Sequence, residues 1–170
     1  ADTLDLALSD QTIEAAYAAP WGRQSSGSNE LLAHFLHNND KDATLFGGGM
    51  RVTNEVGTAF PGLHAALGLE AFAGRGGDED VLGVAITAGA RYTVPAAPRL
   101  SLAVNMALAP DVITTGAEGL IEYGARVEYD LLPQAVLFLG YRKTAFKMEK
   151  GPDITLIDGS HVGLRFKISH

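Results

Sequence analysis

Strict alternation of apolar and polar residues is the feature that most limits what this chain can fold into. Between Leu100 and Leu108 the even-numbered positions are leucine, valine or methionine, and the odd-numbered ones are serine, alanine or asparagine. Successive side chains of a β-strand point to opposite faces, so this pattern predicts a strand with one apolar face. The period recurs in residues 62–74, 82–94, 118–131 and 162–168, and more weakly in 30–37, 43–55 and 135–147. The chain is therefore predicted to be all-β.

The number of strands depends on the N-terminal segment. Apolar positions are even-numbered up to Leu8 and odd-numbered from Ile13, so the phase changes across Asp10 and Gln11. A two-residue hairpin there restores one consistent face, and a β-bulge in one long strand would do the same. The hairpin gives ten strands, at roughly 3–9, 12–19, 30–38, 42–55, 62–74, 81–94, 99–109, 117–131, 134–148 and 158–168. Without it eight is the alternative, because outer-membrane barrels have even strand numbers.

The absence of long apolar stretches and the abundance of small residues together favour a membrane barrel. No apolar run reaches the roughly 18 residues that a transmembrane helix needs, and a closed barrel is the other structure that can span a bilayer. Alternation alone would also fit a soluble, lipocalin-like barrel. The polar face, however, is rich in alanine and in the 20 glycines, as expected on the crowded concave side of a small barrel. We predict one domain over residues 1–170, a transmembrane antiparallel up-and-down β-barrel.

The connections between the predicted strands are of two kinds. Those at 94–98 and 131–134 are tight, whereas those at 38–42, 74–80, 110–116 and 147–158 are longer, polar and mostly acidic. Ten strands with both ends in the periplasm place the longer group outside the cell, which is the usual asymmetry of these barrels. The opening Ala1-Asp2-Thr3-Leu4 lacks an initiator Met and a basic, apolar leader, as expected after removal of a secretory signal.

Composition excludes several functions. The net charge of −7 comes with no basic stretch that could neutralise phosphates, which argues against nucleic-acid binding. The chain has no cysteine, so disulfides, thiolate catalysis and cysteine-ligated zinc are excluded. The acidic run Asp78-Glu79-Asp80 lacks the ordered oxygen spacing of a calcium site.

Parity assigns charged residues to the interior and apolar residues to the lipid. We expect a lumen charge network that holds the barrel's shape, because charges in a narrow lumen need partners; a gated polar path is the alternative. Its predicted members are Arg51, Glu55, Glu70, Arg91, Arg99, Glu118, Glu122, Arg126, Glu128, Asp130, Arg142, Arg165 and Lys167. The residues predicted to face lipid are Leu67, Val84, Ile86, Leu102, Val104, Met106, Val127, Leu139 and Leu164.

One stretch carries a family resemblance. Residues 121–142, Ile-Glu-Tyr-Gly-Ala-Arg-Val-Glu-Tyr-Asp-Leu-Leu-Pro-Gln-Ala-Val-Leu-Phe-Leu-Gly-Tyr-Arg, with Asp158-Gly159 and the closing Val-Gly-Leu-Arg-Phe at 162–166, resemble the YfaZ family of outer-membrane proteins. The segments 4–9 and 35–40 are similar too. The resemblance implies an outer-membrane location and brings no established activity or catalytic residues. The ending Ile168-Ser169-His170 departs from the aromatic residue on which such barrels usually finish.

Candidate catalytic residues are few. Ser160 lies beside His161, with Asp158 nearby, but adjacent residues of a strand point to opposite faces and cannot easily form a nucleophile and base pair. We therefore expect no catalytic residue, cofactor or metal. The predicted function is a monomeric, non-enzymatic barrel in the bacterial outer membrane, structural or a narrow channel with a largely plugged lumen, in contact with lipopolysaccharide and phospholipid. The alternatives are a lipid-modifying enzyme and a soluble ligand-binding barrel.

Overall fold

In a computed structural model, the chain forms a closed antiparallel barrel of ten long strands. The structure describes residues 2–24, 27–40, 42–57, 59–76, 79–110, 114–115, 119–147 and 154–168. The strands are β1 (Asp2–Leu8), β2 (Thr12–Gln24), β3 (Gly27–Asn38), β4 (Ala43–Glu55), β5 (Leu63–Gly76), β6 (Glu79–Thr93), β7 (Leu100–Pro110), the two-residue β8 (Thr114–Thr115), β9 (Gly119–Leu132), β10 (Ala135–Lys147) and β11 (Ile154–Ile168).

Each long strand pairs with its neighbours in sequence, and the first and last strands pair to close the ring. Asp2 lies opposite Ile168 and Leu8 lies opposite Val162. The predicted hairpin between β1 and β2 is present, with the amide of Ser9 donating to the carbonyl of Thr12 at 3.0 Å. The ten-strand prediction is confirmed, and the eight-strand alternative is wrong. Several strands are longer than predicted, because alternation fades near strand ends where both faces meet polar surroundings.

We call the two ends of the barrel the terminal end and the loop end. The terminal end holds Asp2, Ile168 and the turns at 94–99 and 133–134. The loop end holds the turn at 9–11 and the ends of the strands that flank the connections after β3, β5, β7 and β10. The longer connections predicted from the sequence all begin and finish at the loop end, although parts of them lie outside the described residues. Toward this end the pairing of β6 with β7 stops at Ile86, and Leu82 and Gly83 of β6 pair with β8 instead.

The outer wall of the barrel is apolar. All nine residues predicted to face lipid lie on this wall, with exposed fractions between 36% and 67%. A soluble protein rarely leaves so large an apolar surface uncovered. Within the part of the chain that the structure describes, no helix has the length and hydropathy of a membrane-spanning helix.

Candidate functional site: the barrel lumen

Small residues on the inner wall make room for charged and aromatic side chains that cross the lumen. A Cβ atom built on Gly47 of β4 would collide with the side chains of Glu70 and His34. A Cβ atom on Gly163 of β11 would collide with the ring of Phe138. The inward glycines Gly47 and Gly163 are therefore steric requirements of the interior.

Three arginines and two carboxylates form the arginine cluster, which consists of Arg91, Arg126, Arg165, Asp5 and Glu128. Arg165 donates two parallel hydrogen bonds to Asp5, from Nε at 2.8 Å and from Nη2 at 3.0 Å. Its Nη1 is also 3.0 Å from Glu128 Oε2. Arg91 Nε is 2.8 Å from Glu128 Oε1, and Arg126 Nη1 is 3.2 Å from Asp5 Oδ2. The cluster joins strands β1, β6, β9 and β11 across the lumen.

Glu128 is the most enclosed member of this cluster. The residue is 2% exposed, and Arg91, Arg165 and, at 3.9 Å, Arg126 surround its carboxylate. A carboxylate removed from water loses hydration that only close cations and hydrogen bonds replace. Each charged group of the cluster thus contacts at least one group of opposite charge, and these contacts fix four strands relative to one another.

A second group, the glutamate cluster, lies nearer the loop end and consists of Glu14, Glu70, Glu122, Arg142 and His34. Arg142 Nη1 donates a hydrogen bond to Glu14 Oε1, and its Nε is 3.6 Å from Glu122 Oε1. Thr144 donates to Glu122 at 3.1 Å. His34 Nδ1 is 2.6 Å from Glu70 Oε1, across the gap left by Gly47. Three carboxylates therefore share one arginine and one histidine.

Beyond the glutamate cluster nine apolar side chains pack together inside the barrel, and we call this group the apolar plug. Each of its nine residues is at most 7% exposed, and the rings of Phe72 and Phe146 lie 6.0 Å apart. Its members are Leu36, Ala43, Leu45, Phe72, Val81, Ala85, Ala109, Leu120 and Phe146. Inward positions thus change from charged to apolar within one strand, as in Glu70 and Phe72 on β5. The apolar plug lies between the glutamate cluster and the loop end.

The lumen is wetter toward the terminal end. The side chains of Arg51 and Arg91 are 37% and 44% exposed. Arg51 pairs with Glu30 at 2.6 Å, and the inward Asn105 at mid-height is also exposed. These exposed polar side chains lie on the terminal-end side of the apolar plug, and we call this more accessible part of the lumen the vestibule.

The structure brings together most of the charged residues assigned to the lumen, and places some elsewhere. Arg51, Glu70, Arg91, Glu122, Arg126, Glu128, Arg142 and Arg165 form the ion pairs given above. Glu55 and Lys167 lie exposed near the terminal end, Asp130 is half-buried there, and Arg99 is exposed in the turn between β6 and β7. Glu118 lies outside the described residues.

Sequence reasoning missed four partners, Asp5, Glu14, Glu30 and His34. The signal that could have found them is the same parity, since Asp5 lies between the apolar Leu4 and Leu6. The three residues considered for catalysis do not converge. Ser160 is exposed on the outer wall, His161 is buried in the lumen beside Phe138, and Asp158 accepts a hydrogen bond from Tyr141. The described residues contain no group of three or more histidines and carboxylates that could hold a metal.

A closed antiparallel barrel with an apolar outer wall and a charged lumen defines a porin-like β-barrel protein. Comparison with known folds agrees. A solved structure described as a KdgM porin in complex with disordered oligogalacturonate aligns with a TM-score of 0.58 and 11% identity, over 98% of this chain and 99% of that one. A structure of KdgM porin aligns with a TM-score of 0.56 and 10% identity, over 99% of both chains.

The family follows from the sequence match. The model of the family described as YfaZ precursor matches residues 22–168, and the chain belongs to the YfaZ family. A comparison with curated proteins gives no match.

Proposed function

We propose that this protein is a small, monomeric, non-enzymatic barrel of the bacterial outer membrane whose lumen does not conduct in the state described. The apolar plug is the observation that carries the proposal. Leu36 has no exposed surface, and Thr144 directly below the plug has none either. Ions do not cross a dry apolar constriction without its opening.

The outer wall supports the membrane location. At least one leucine, isoleucine or valine is exposed on each of the ten long strands, and so large an apolar surface would be unfavourable in water. Lipopolysaccharide and phospholipid are the partners that such a surface would contact. With both chain ends in the periplasm, the vestibule opens to the periplasm and the plug lies toward the cell exterior.

A gated narrow channel is the second candidate, and the vestibule favours it. One similar structure is described as a KdgM porin in complex with disordered oligogalacturonate, an acidic ligand. In this chain the guanidinium groups of Arg126 and Arg165 are already engaged by Asp5 and Glu128. An anion would have to displace these carboxylates, and it would still meet the apolar plug.

Planar-bilayer recording tests the proposal. The unmodified protein should give small or no currents. A Phe72→Ala, Phe146→Ala variant removes the two rings that face each other in the plug, and we expect it to conduct. Leu67→Ala, on the outer wall of the same strand as Phe72, is the matched control and should remain closed.

Large, steady currents through the unmodified protein would overturn the proposal. Folding of each variant is checked independently by its β-sheet circular dichroism and by its mobility in unheated gels. If the double variant does not fold, Leu36→Ala provides a smaller opening of the same plug.

A further inference from the structure

A groove runs along the outer wall near the loop end, across β4, β5 and β6. Its floor is Ala73, and its walls are Phe46 and Leu82, which lie directly opposite Ala73 on the two neighbouring strands. The two wall residues are 56% and 59% exposed, and the groove has a volume of about 370 Å³. A small residue between two large ones thus leaves an apolar trough on the lipid-facing surface.

A cation lies at the loop end of this groove. Arg75, two residues beyond Ala73 on the same face of β5, also lines it, together with Asp80 of β6. Arg75 Nε is 3.2 Å from Asp80 Oδ1, and the two side chains are 73% and 78% exposed. An ion pair this exposed contributes little, so its partners exchange readily. The guanidinium also has five N–H donors, and a single carboxylate occupies only part of them.

We propose that this groove binds lipid A, the acylated and phosphorylated lipid of the outer leaflet. One acyl chain lies on Ala73 between Phe46 and Leu82, and a phosphate binds Arg75. Complementarity to phosphate comes from Arg75 alone, which joins the apolar floor to a guanidinium, a group that matches phosphate in a two-point geometry. Asp80 competes with the phosphate for Arg75. The choice of lipid A rests on the proposed function, which places the loop end in the outer leaflet.

The test uses the full chain, purified in neutral detergent micelles and titrated with bisphosphorylated lipid A, with bound lipid counted by native mass spectrometry. Arg75→Gln should weaken binding by about tenfold or more, the loss expected when a charged hydrogen-bond partner is removed. Asp80→Asn should strengthen it, because the competing carboxylate is gone. A purely structural role for the pair predicts instead that both changes act in the same direction.

A steric pair of variants tests the floor. Ala73→Phe fills the groove and should abolish binding, whereas Ala65→Phe adds the same ring to an exposed position of β5 near the terminal end and should leave binding unchanged. Equal effects of the two variants would overturn the proposal. Equal binding of phosphatidylglycerol would overturn it in favour of a site for anionic lipids in general. Because lipid binding is measured in micelles, its failure is separate from any current through the lumen.

Discussion

The guanidinium of Arg126 lies 4.0 Å from the centroid of the Phe138 ring, and Phe138 is only 1% exposed. The same guanidinium also forms an ion pair, because Arg126 Nη1 lies 3.2 Å from Asp5 Oδ2. A guanidinium between an aromatic ring and a carboxylate stacks on the ring and pairs its charge with the carboxylate. Arg126 therefore connects the charged part of the lumen to the buried ring of Phe138 on β10.

Replacing Arg126 with alanine should lower the free energy of unfolding by about 2–4 kcal/mol, because it removes a charged hydrogen bond to Asp5 and the cation–π contact with Phe138, although Asp5 keeps Arg165. Arg126→Lys should recover only part of this loss, because an ammonium group cannot stack on Phe138 in the same way. Reversible urea unfolding in detergent micelles or vesicles provides the measurement.

Arg91→Ala is the internal comparison for that experiment. The Arg91 side chain is 44% exposed, and its partner Glu128 would keep Arg165 at 3.0 Å. The loss of stability should therefore be clearly smaller than for Arg126→Ala. An equal or larger loss would contradict our account of how the charges are shared.

Gly47 and Gly48 are adjacent residues, but only the first should be sensitive to replacement by alanine. Gly47→Ala puts a methyl group into Glu70 and His34 and should cost about 1–3 kcal/mol, as overpacking does. On the outer face, a Cβ on Gly48 would meet no atom closer than the Leu32 carbonyl oxygen at 3.4 Å. Gly48→Ala should thus change stability by less than about 0.5 kcal/mol. Similar losses at both positions would show that the lumen does not impose the glycine.

Spin labels on β7 test which face meets lipid. Labels at Leu102, Val104 and Met106 should be reached by lipid-soluble oxygen and shielded from aqueous relaxation agents. A label at the inward Asn105 should show the reverse behaviour, because this position lies in the wet part of the lumen. Aqueous access at the three outer positions would establish a soluble barrel.

Enzymatic activity on membrane lipids is tested by Ser160→Ala and His161→Ala. These side chains lie on opposite faces of β11, so neither change should alter the lipid A or phospholipid composition of cells producing the protein. Mass spectrometry of extracted lipids gives the answer, with cells lacking the protein as reference. A reproducible change with either variant would reopen the catalytic interpretation.

The sequence predicts the faces of the strands better than the partners across the lumen. Alternation assigns Arg126 and Arg165 to the interior because a strand has only two faces. Which carboxylate each one meets depends on the stagger between strands, and no local pattern records it. Asp5 and Glu128 are far apart in the chain and meet through the same Arg165.

The apolar plug marks the second limit of sequence reasoning. Phe72 has the same parity as Glu70, so its inward orientation is predictable. That it meets Phe146 of β10 at one height in the barrel is not, because period-two patterning carries no information on height. The separation of the lumen into charged and apolar parts emerges only when the strands are assembled.

The pairing of Asp5 with Arg165 spans the seam where the first and last strands meet, 160 positions apart in the chain. Ring closure on this scale is slow, because the entropy of the intervening chain is lost before the contact forms. An open sheet would leave Asp5 without its two-point partner and would leave strand edges unpaired in lipid. Partial barrels are therefore poorly stabilised, and assembly in the membrane should be all-or-none.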